Sequence, residues 1–434
     1  MSNLQDAAQA LLKAARQAGA EVAEVGLYEG TSVGVQWRLG KIEESERAET
    51  TELGLRVFLG RRSASVSANA IDYGAFARLA EQAVAMAKVV PEDPYAEIPM
   101  APPAPDAGFL ELDDPTEPHA DVLIERAALA EDAAMAVPGI SNSEGASASW
   151  SRAVSVLATS RGFLGEYARS FHSVSVTAIA GTGTTMQRDY DYDSTVFGSD
   201  LENSAQLGRN AASRALARLH PVRPQTARLP VVFDSRVASS FLGHLSGAIS
   251  GAAIARGTSF LKDALGQMVF APGVNIIDDP LRVRGLRSRP FDREGQAVRQ
   301  MHFIEDGRLT DWVLDTRSAN QLGLKTNGHA GGLSNFYMQP GSMTPAQLMA
   351  DISLGIYVTE MIGSSVNGLT GDYSRGAAGF MIRNGQLAEP VAEFTIAGNL
   401  KEMFANITPA NDLSFKRGVD APTLRISDMM IAGA

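Results

Sequence analysis

The chain has no cysteine among its 434 residues. That absence removes disulfides, thiolate metal ligands and a thiol nucleophile together, and it fits a reducing compartment. No uncharged apolar run approaches the roughly 18 residues a membrane-spanning helix requires. The opening residues, MSNLQDAAQALLKAARQ, lack a basic segment followed by an apolar one. No secretory signal is therefore expected, and the chain reads as cytoplasmic. Low-complexity tracts and heptad arrays are missing as well. So are the G-x-S-x-G elbow, the P-loop and the H-E-x-x-H or H-E-x-x-x-H signatures of zinc hydrolases. Gly181-Thr-Gly183 is too short for a dinucleotide fingerprint and lacks the βαβ setting that motif needs.

What is present is ordinary globular material, 45% hydrophobic and 20% charged. Its length exceeds what one core usually supports. Two domains are therefore expected, residues 1–220 and 221–434. The net charge of −11 is unevenly spread. Residues 1–220 hold 18 basic against 30 acidic side chains; residues 221–434 hold 20 against 19. An N-terminal half that acidic repels phosphate backbones, which argues against a nucleic-acid partner.

Helical spacing of Leu4, Ala8, Leu11, Leu12 and Ala15 predicts a first helix that stops at Gly19. Strands are expected at Val22–Tyr28, Ser32–Leu39, Lys41–Thr50 and Gly54–Ala68, then a helix over Tyr73–Val89. Residues 91–118 carry eight prolines and exclude helix or central strand; they read as a crossover or linker. Helix returns over Ala120–Ala136. The alternation from Ser149 to Ala158 then predicts a strand whose core face holds Trp150, Val154 and Val156, with Arg152 as the misfit. A partner strand is expected at Tyr167–Ala180 and a helix at Leu201–Leu219. The second half reads as a strand at Leu229–Phe233, a helix from Ser235, then mostly β structure. Asp306-Gly307 and Asn384-Gly385 are hairpin turns. Helices are expected at Thr344–Thr359 and Leu400–Phe404. The fold class is α+β: an N-terminal α/β domain with a mixed or antiparallel sheet and flanking helices, and a C-terminal β-rich domain of barrel or sandwich type.

The most informative segment is Ser235–Ala255, SRVASSFLGHLSGAISGAAIA. Read as one helix, it puts Gly243, Gly247 and Gly251 on one stripe. Each glycine costs a helix about 1 kcal/mol against alanine. The compensation would be close approach of another backbone, inside the domain or at a subunit interface.

This run resembles the corresponding helix of PmbA-type proteins in the TldD/PmbA peptidase family. So do GLRSRPFDREG (Gly285–Gly295), FIEDGRL (Phe303–Leu309), IGSSVNGLTGDYSRGAAGF (Ile362–Phe380) and VAEFTIAGNL (Val391–Leu400). In the catalytic TldD branch the helix carries H-E-x-x-x-H, two zinc-binding histidines and a base. Registering on Arg256-Gly257-Thr258-Ser259 places those functions at Leu242, Gly243 and Gly247, none of which can hold a metal. The resemblance implies a PmbA (TldE)-type subunit with no catalytic or metal-binding residue of its own. It also implies zinc in a TldD-like partner, a heterodimer or homodimer, and an extended peptide substrate. The family carries a modulator-of-DNA-gyrase label, on which no residue pattern bears. Candidate groove or interface residues are Gly243, His244, Gly247, Gly251, Arg287, Arg289 and His329.

Two competing readings are a homodimeric hydrolase with an unconventional site near His244 and His329, and a peptide-binding module without a peptidase partner. A zinc site from His244, His329 and Asp372 is possible on residue type alone. The six histidines, 119, 172, 220, 244, 302 and 329, show no i, i+4 pair. Asp189, Asp191 and Asp193 lack the glycine and glutamate of a calcium loop and read as a solvated strand face. Arg282, Arg284, Arg287, Arg289 and Arg293 are expected to contact the chain itself or a partner, with a substrate carboxylate as the other reading.

Overall fold

A computed structural model describes residues 3–434. The N-terminal half is α1 (Asn3–Gln17), β1 (Val22–Arg38), β2 (Lys41–Leu59), β3 (Arg62–Ala68), α2 (Phe76–Val89), α3 (Ala120–Met135), β4 (Ile140–Thr159), β5 (Leu164–Ala180), β6 (Gln187–Thr195) and α4 (Ser204–Ala217). Its strands form one sheet in the order β3-β2-β1-β4-β5-β6, antiparallel throughout. The first two expected strands are one continuous β1, and β2 likewise runs through Thr51–Leu53. Cross-strand pairing on both sides of β1 overrides the local weakness of Gly30 and Gly34.

Period-2 alternation sends Val25, Leu27, Val33 and Val35 of β1 to one face. All four helices lie on that face. α1 and α2 cover one end of the sheet, and α3 and α4 cover the other. The opposite face carries Glu24, Gly26 and Tyr28 and looks onto the C-terminal half. Trp150 and Val156 of β4 are buried as the alternation requires. Arg152 is accommodated by a two-pronged pairing with Asp113, at 2.7 and 2.8 Å.

The proline-rich stretch wraps the molecule. Ile98, Leu110 and Leu112 are buried, and the Tyr95 and Met100 carbonyls accept hydrogen bonds from Asn320 and Gln296 of the other half.

That half contains β7 (Ala227–Phe233), α5 (Ser235–Ala248), α6 (Gly251–Ala255), β8 (Ile276–Asp278), β9 (Met301–Glu305), β10 (Arg308–Leu309), α7 (Thr316–Leu322), β11 (Phe336–Met338), α8 (Pro345–Met349), β12 (Leu354–Val366), β13 (Asp372–Arg383), β14 (Gln386–Asn399), α9 (Leu400–Ala405), β15 (Ile407–Pro409), β16 (Val419–Asp420) and β17 (Leu424–Ala432). Strands β14-β13-β12-β7-β17 pair in order, and β17 also pairs with β14, which closes a five-stranded barrel. A smaller sheet, β10-β9-β8-β11-β16, stands beside it. Both Asx-Gly hairpins form, with positive φ at Asp306, Gly307, Asn384 and Gly385, as a type I′ turn requires.

Three expectations fail. The helix at Thr344–Thr359 is only Pro345–Met349; from Leu354 the chain is β12, paired on both sides with β7 and β13. The glycine-rich helix is two helices, broken at Ile249–Ser250, so Gly251 begins the second and leaves the stripe. Asp189, Asp191 and Asp193 are not a solvated face but are 4–6% exposed. Asp189 meets Arg218 and Arg236, Asp191 meets Arg214, and Asp193 lies 3.8 Å from Lys416. The three aspartates do share one face of β6, but that face meets α4 and the C-terminal half, not water.

Candidate functional site

Helix α5 follows directly from barrel strand β7. Asp234 caps it, accepting from the Arg236 N–H at 2.9 Å, and is itself held by the Tyr357 hydroxyl at 3.0 Å. One face of α5 buries Ala238, Phe241, Leu242, Leu245 and Ala248 in the barrel core. Phe241 meets Phe233 edge-on at 4.8 Å. Fully burying a side chain such as Phe241 or Leu242 contributes roughly 2–3 kcal/mol, which fixes the helix and the direction of its other face.

That other face borders two cavities. The larger, about 720 Å³, is lined by Arg236, Ser239, Ser240, Gly243 and Ser246 of α5 together with Arg287, Arg375, Arg417 and the Gly331–Leu333 loop. The smaller, about 330 Å³, is lined by Gly243, His244, Gly247, Thr258, Phe260 and Val366, among others. A Cβ at 243 or 247 would meet nothing within 4 Å. These two glycines therefore do not serve packing inside the chain. Gly251 does: a Cβ there would stand 2.6 Å from Ser318 Oγ and 2.8 Å from the Val313 carbonyl.

The remaining sequence candidates separate. Leu242 is fully buried, so of the three positions aligned with H-E-x-x-x-H only Gly243 and Gly247 reach the open face. His244 stacks edge-on against Tyr373 at 5.8 Å, and its Nε2 is buried without a hydrogen-bond partner. Burial, with Arg375 nearby, pushes its pKa down. His329 lines neither cavity. It is 2% exposed, with Nε2 3.1 Å from Asp278 and Nδ1 3.0 Å from the Asn327 carbonyl, so it pins the loop that leads to Gly331. Arg289 is tethered to the Ala330 and Gly332 carbonyls of that same loop. Arg287 borders both the 720 Å³ cavity and a wider cleft of about 1230 Å³ between the N-terminal sheet and the C-terminal half. Arg284 reaches Asp200 at 2.8 Å and Glu111 at 2.6 Å in the acidic half, the intramolecular role expected of the cluster.

Sequence reasoning missed Arg236, Arg375 and Arg417. They come from α5, β13 and the turn before β16, and no local motif links them. Zinc does not fit this site. The open face of α5 presents glycine and serine, and among the described residues no three His, Asp or Glu side chains converge on a point that could hold a metal.

The loop carrying Arg287 and Arg289 also contains Glu294, whose carboxyl accepts from Thr316 N–H and Oγ–H at 3.0 and 2.5 Å. Burial pushes its pKa up to about 7, outweighing those two hydrogen bonds. The folded chain thus holds a proton that the unfolded chain, titrating at 4.5, gives up sooner. This favours folding below 4.5 and is lost as pH rises through about 7. Glu294→Gln removes the titration. The variant's stability relative to the wild type is expected to rise by about 3 kcal/mol between pH 4 and pH 8. Urea denaturation at both pH values checks it; a pH-independent difference refutes it.

The architecture is therefore of a definite class: a helix-backed sheet docked on a closed barrel, with a cleft that presents guanidinium, hydroxyl and bare backbone instead of metal donors. Comparison with known sequences makes the class specific. Profiles of the PmbA/TldA metallopeptidase domain 1, central domain and C-terminal domain match residues 23–87, 113–219 and 226–433. The chain belongs to the PmbA/TldD metallopeptidase family. It is 38% identical to Metalloprotease PmbA of Escherichia coli O157:H7, over 95% of this chain and 92% of that one. It is 34% identical to a Metalloprotease PmbA homolog of Haemophilus influenzae, over 99% and 96%. The crystal structure of TldE from Thermococcus kodakarensis shares the fold, with a TM-score of 0.87 at 18% identity over 98% and 100% of the two chains. So does a Bacteroides thetaiotaomicron protein described as a candidate modulator of DNA gyrase, with a TM-score of 0.89 at 24% identity over the whole of both chains. Among the described residues no helix is long and apolar enough to cross a membrane.

Proposed function

We propose that this chain is the PmbA/TldE-type subunit of a peptidase assembly, in which a TldD-like partner holds the zinc and this chain helps enclose an extended peptide. One observation carries the reading: where the catalytic branch needs donor atoms, α5 turns Gly243 and Gly247 into open cavities, with nothing of this chain within 4 Å of where a Cβ would stand. A bare helix face costs stability and returns nothing to an isolated chain. It makes sense when a second backbone, from a partner or a peptide, lies against it. The free edge of β3 supports the peptide part. Ser67, Ala68 and the following Asn69 line the 1230 Å³ cleft, and a terminal strand can bind an extended peptide through main-chain hydrogen bonds.

Co-expression with a TldD-like protein tests the assembly. The purified pair is expected to hold zinc and cleave unfolded peptides, and the isolated chain to do neither. Robust zinc-dependent cleavage by the chain alone would overturn the proposal. The glycine face has its own test. Gly243→Ala and Gly247→Ala are each expected to stabilise the isolated chain by up to about 1 kcal/mol, because alanine is the better helix former and its methyl meets nothing. The same substitutions are expected to weaken assembly or peptide binding severalfold. A stabilised variant that still assembles and binds peptide normally would remove this face from both contacts.

A further inference from the structure

The 720 Å³ cavity is lined by four arginines, Arg236, Arg287, Arg375 and Arg417, and by no carboxylate. Only Arg236 is neutralised, by Asp189 at 2.7 Å and Asp234 at 3.2 Å. Among the described residues no carboxylate lies within ion-pair distance of Arg287, Arg375 or Arg417. Arg417 leans over the Tyr192 ring at 5.2 Å; its backbone N–H donates to Asp420 at 3.2 Å, while its guanidinium charge acts on that carboxylate only from beyond ion-pair distance. Arg375 has its Nε buried without a hydrogen-bond partner. The aliphatic part of Arg287 lies over Gly418, where a Cβ would come within 2.6 Å of its Cγ. Arg287 is exposed and Arg375 and Arg417 are half-buried; three like charges that face one cavity repel one another, and an anion between them relieves that repulsion. Their convergence on one cavity therefore calls for a negatively charged occupant. The remaining lining suits a compact one: Ser239 and Ser246 offer hydroxyls, and Gly243, Gly331 and Gly332 let a backbone approach.

We infer that this cavity is a carboxylate pocket for the bound peptide, with Arg287, Arg375 and Arg417 as its anion-binding residues; the inference rests on the reading of this chain as a peptide-holding subunit. Guanidinium forks match a carboxylate in shape and charge. The cavity's volume suits one or two residues. Arg287, Gly331 and Leu333 border both this cavity and the 1230 Å³ cleft along β3. A peptide lying in the cleft can thus deliver its end, or an acidic side chain, to the arginines. Arg169 and Arg289 continue the arginine lining into the cleft, where Glu24, Glu52 and Asp292 also stand. Arg169 is held below the usual arginine value chiefly by burial, and by the charges of Arg289 and Arg287 beside it.

The test is fluorescence anisotropy on the full chain with three forms of one short, otherwise neutral peptide: free C-terminal carboxylate, C-terminal amide, and amide with one internal glutamate. A carboxylate-bearing form is expected to bind at least about tenfold tighter than the plain amide. Preference for the free acid assigns the pocket to a chain terminus; preference for the glutamate form assigns it to a side chain. Arg375→Gln and Arg287→Gln are each expected to erase most of that preference, bringing the carboxylate-bearing forms down toward the affinity of the plain amide for the same variant. Two variants are used because Arg375 also interacts with Tyr373. Equal binding of all three peptides, or a preference that survives both substitutions, overturns the inference and leaves peptide holding intact. If no peptide binds, peptide holding falls, and N-acetylglycine becomes the probe. A thermal upshift lost in both variants would still support a carboxylate site; no upshift overturns it.

Discussion

Asp189→Asn is expected to destabilise the chain by about 3 kcal/mol, the lower end of what breaking a buried ion pair costs. Asp189 sits on β6 at 4% exposure. Its carboxylate accepts from Arg236 at 2.7 Å and from Arg218 at 3.4 Å, and both arginine side chains are only 11–12% exposed. Asparagine preserves the shape and removes the charge, so two buried guanidiniums lose a shared partner. Arg218 keeps Glu360 and Arg236 keeps Asp234, which holds the cost at the lower end. Because Arg236 and Glu360 belong to the C-terminal half, the loss falls on the junction between halves. Asp191→Asn is the comparison. Its partner Arg214 is 35% exposed, and an ion pair that open contributes at most about 1 kcal/mol. Urea midpoints of the two variants check the ranking. If the 189 substitution is as mild as the 191 one, the cluster does not clamp the halves together.

Gly379→Ala is expected to be more damaging still, above about 3 kcal/mol. A Cβ at 379 would lie 1.9 Å from the Tyr357 carbonyl oxygen and 3.0 Å from the Val358 Cα. Backbone meets backbone across the β12–β13 ladder, so no side chain can swing aside, and overpacking of this kind sits at the severe end of its range. The displaced residue matters to the site: the Tyr357 hydroxyl holds Asp234, the cap of α5. Low recovery of folded protein, or a lowered urea midpoint, is the expected result. Gly376→Ala three residues earlier is the control. Its Cβ would meet Ile362 at 3.4 Å, an ordinary contact, so less than about 1 kcal/mol is expected. Equal stability of the two variants would mean that the barrel relaxes freely at Gly379.

Much of the local structure was legible because it is locally caused. The apolar period of Leu4, Leu11 and Ala15 makes α1, and the turn chemistry of Asp306-Gly307 and Asn384-Gly385 makes two hairpins. The stretch after Thr344 misled. Its helical pattern from Leu348 onward competes with ladder bonds from β7 and β13, and two flanking strands outweigh one segment's propensity. The glycine stripe misled differently. Spacing of four reads as one face only while the helix continues, and the break at Ile249–Ser250 turns Gly251 inward beneath Val313.

From the sequence alone came the α+β class, the family likeness and the lack of a zinc motif, since each depends on which residues follow one another. The cation-lined cavity and the burial of Asp189, Asp191 and Asp193 depended on the tertiary structure. Arg236, Arg287, Arg375 and Arg417 lie up to 181 positions apart, and they meet only because the fold of the C-terminal half brings α5, β13 and two loops to one place. A one-dimensional pattern records spacing along the chain, whereas charge acts through space.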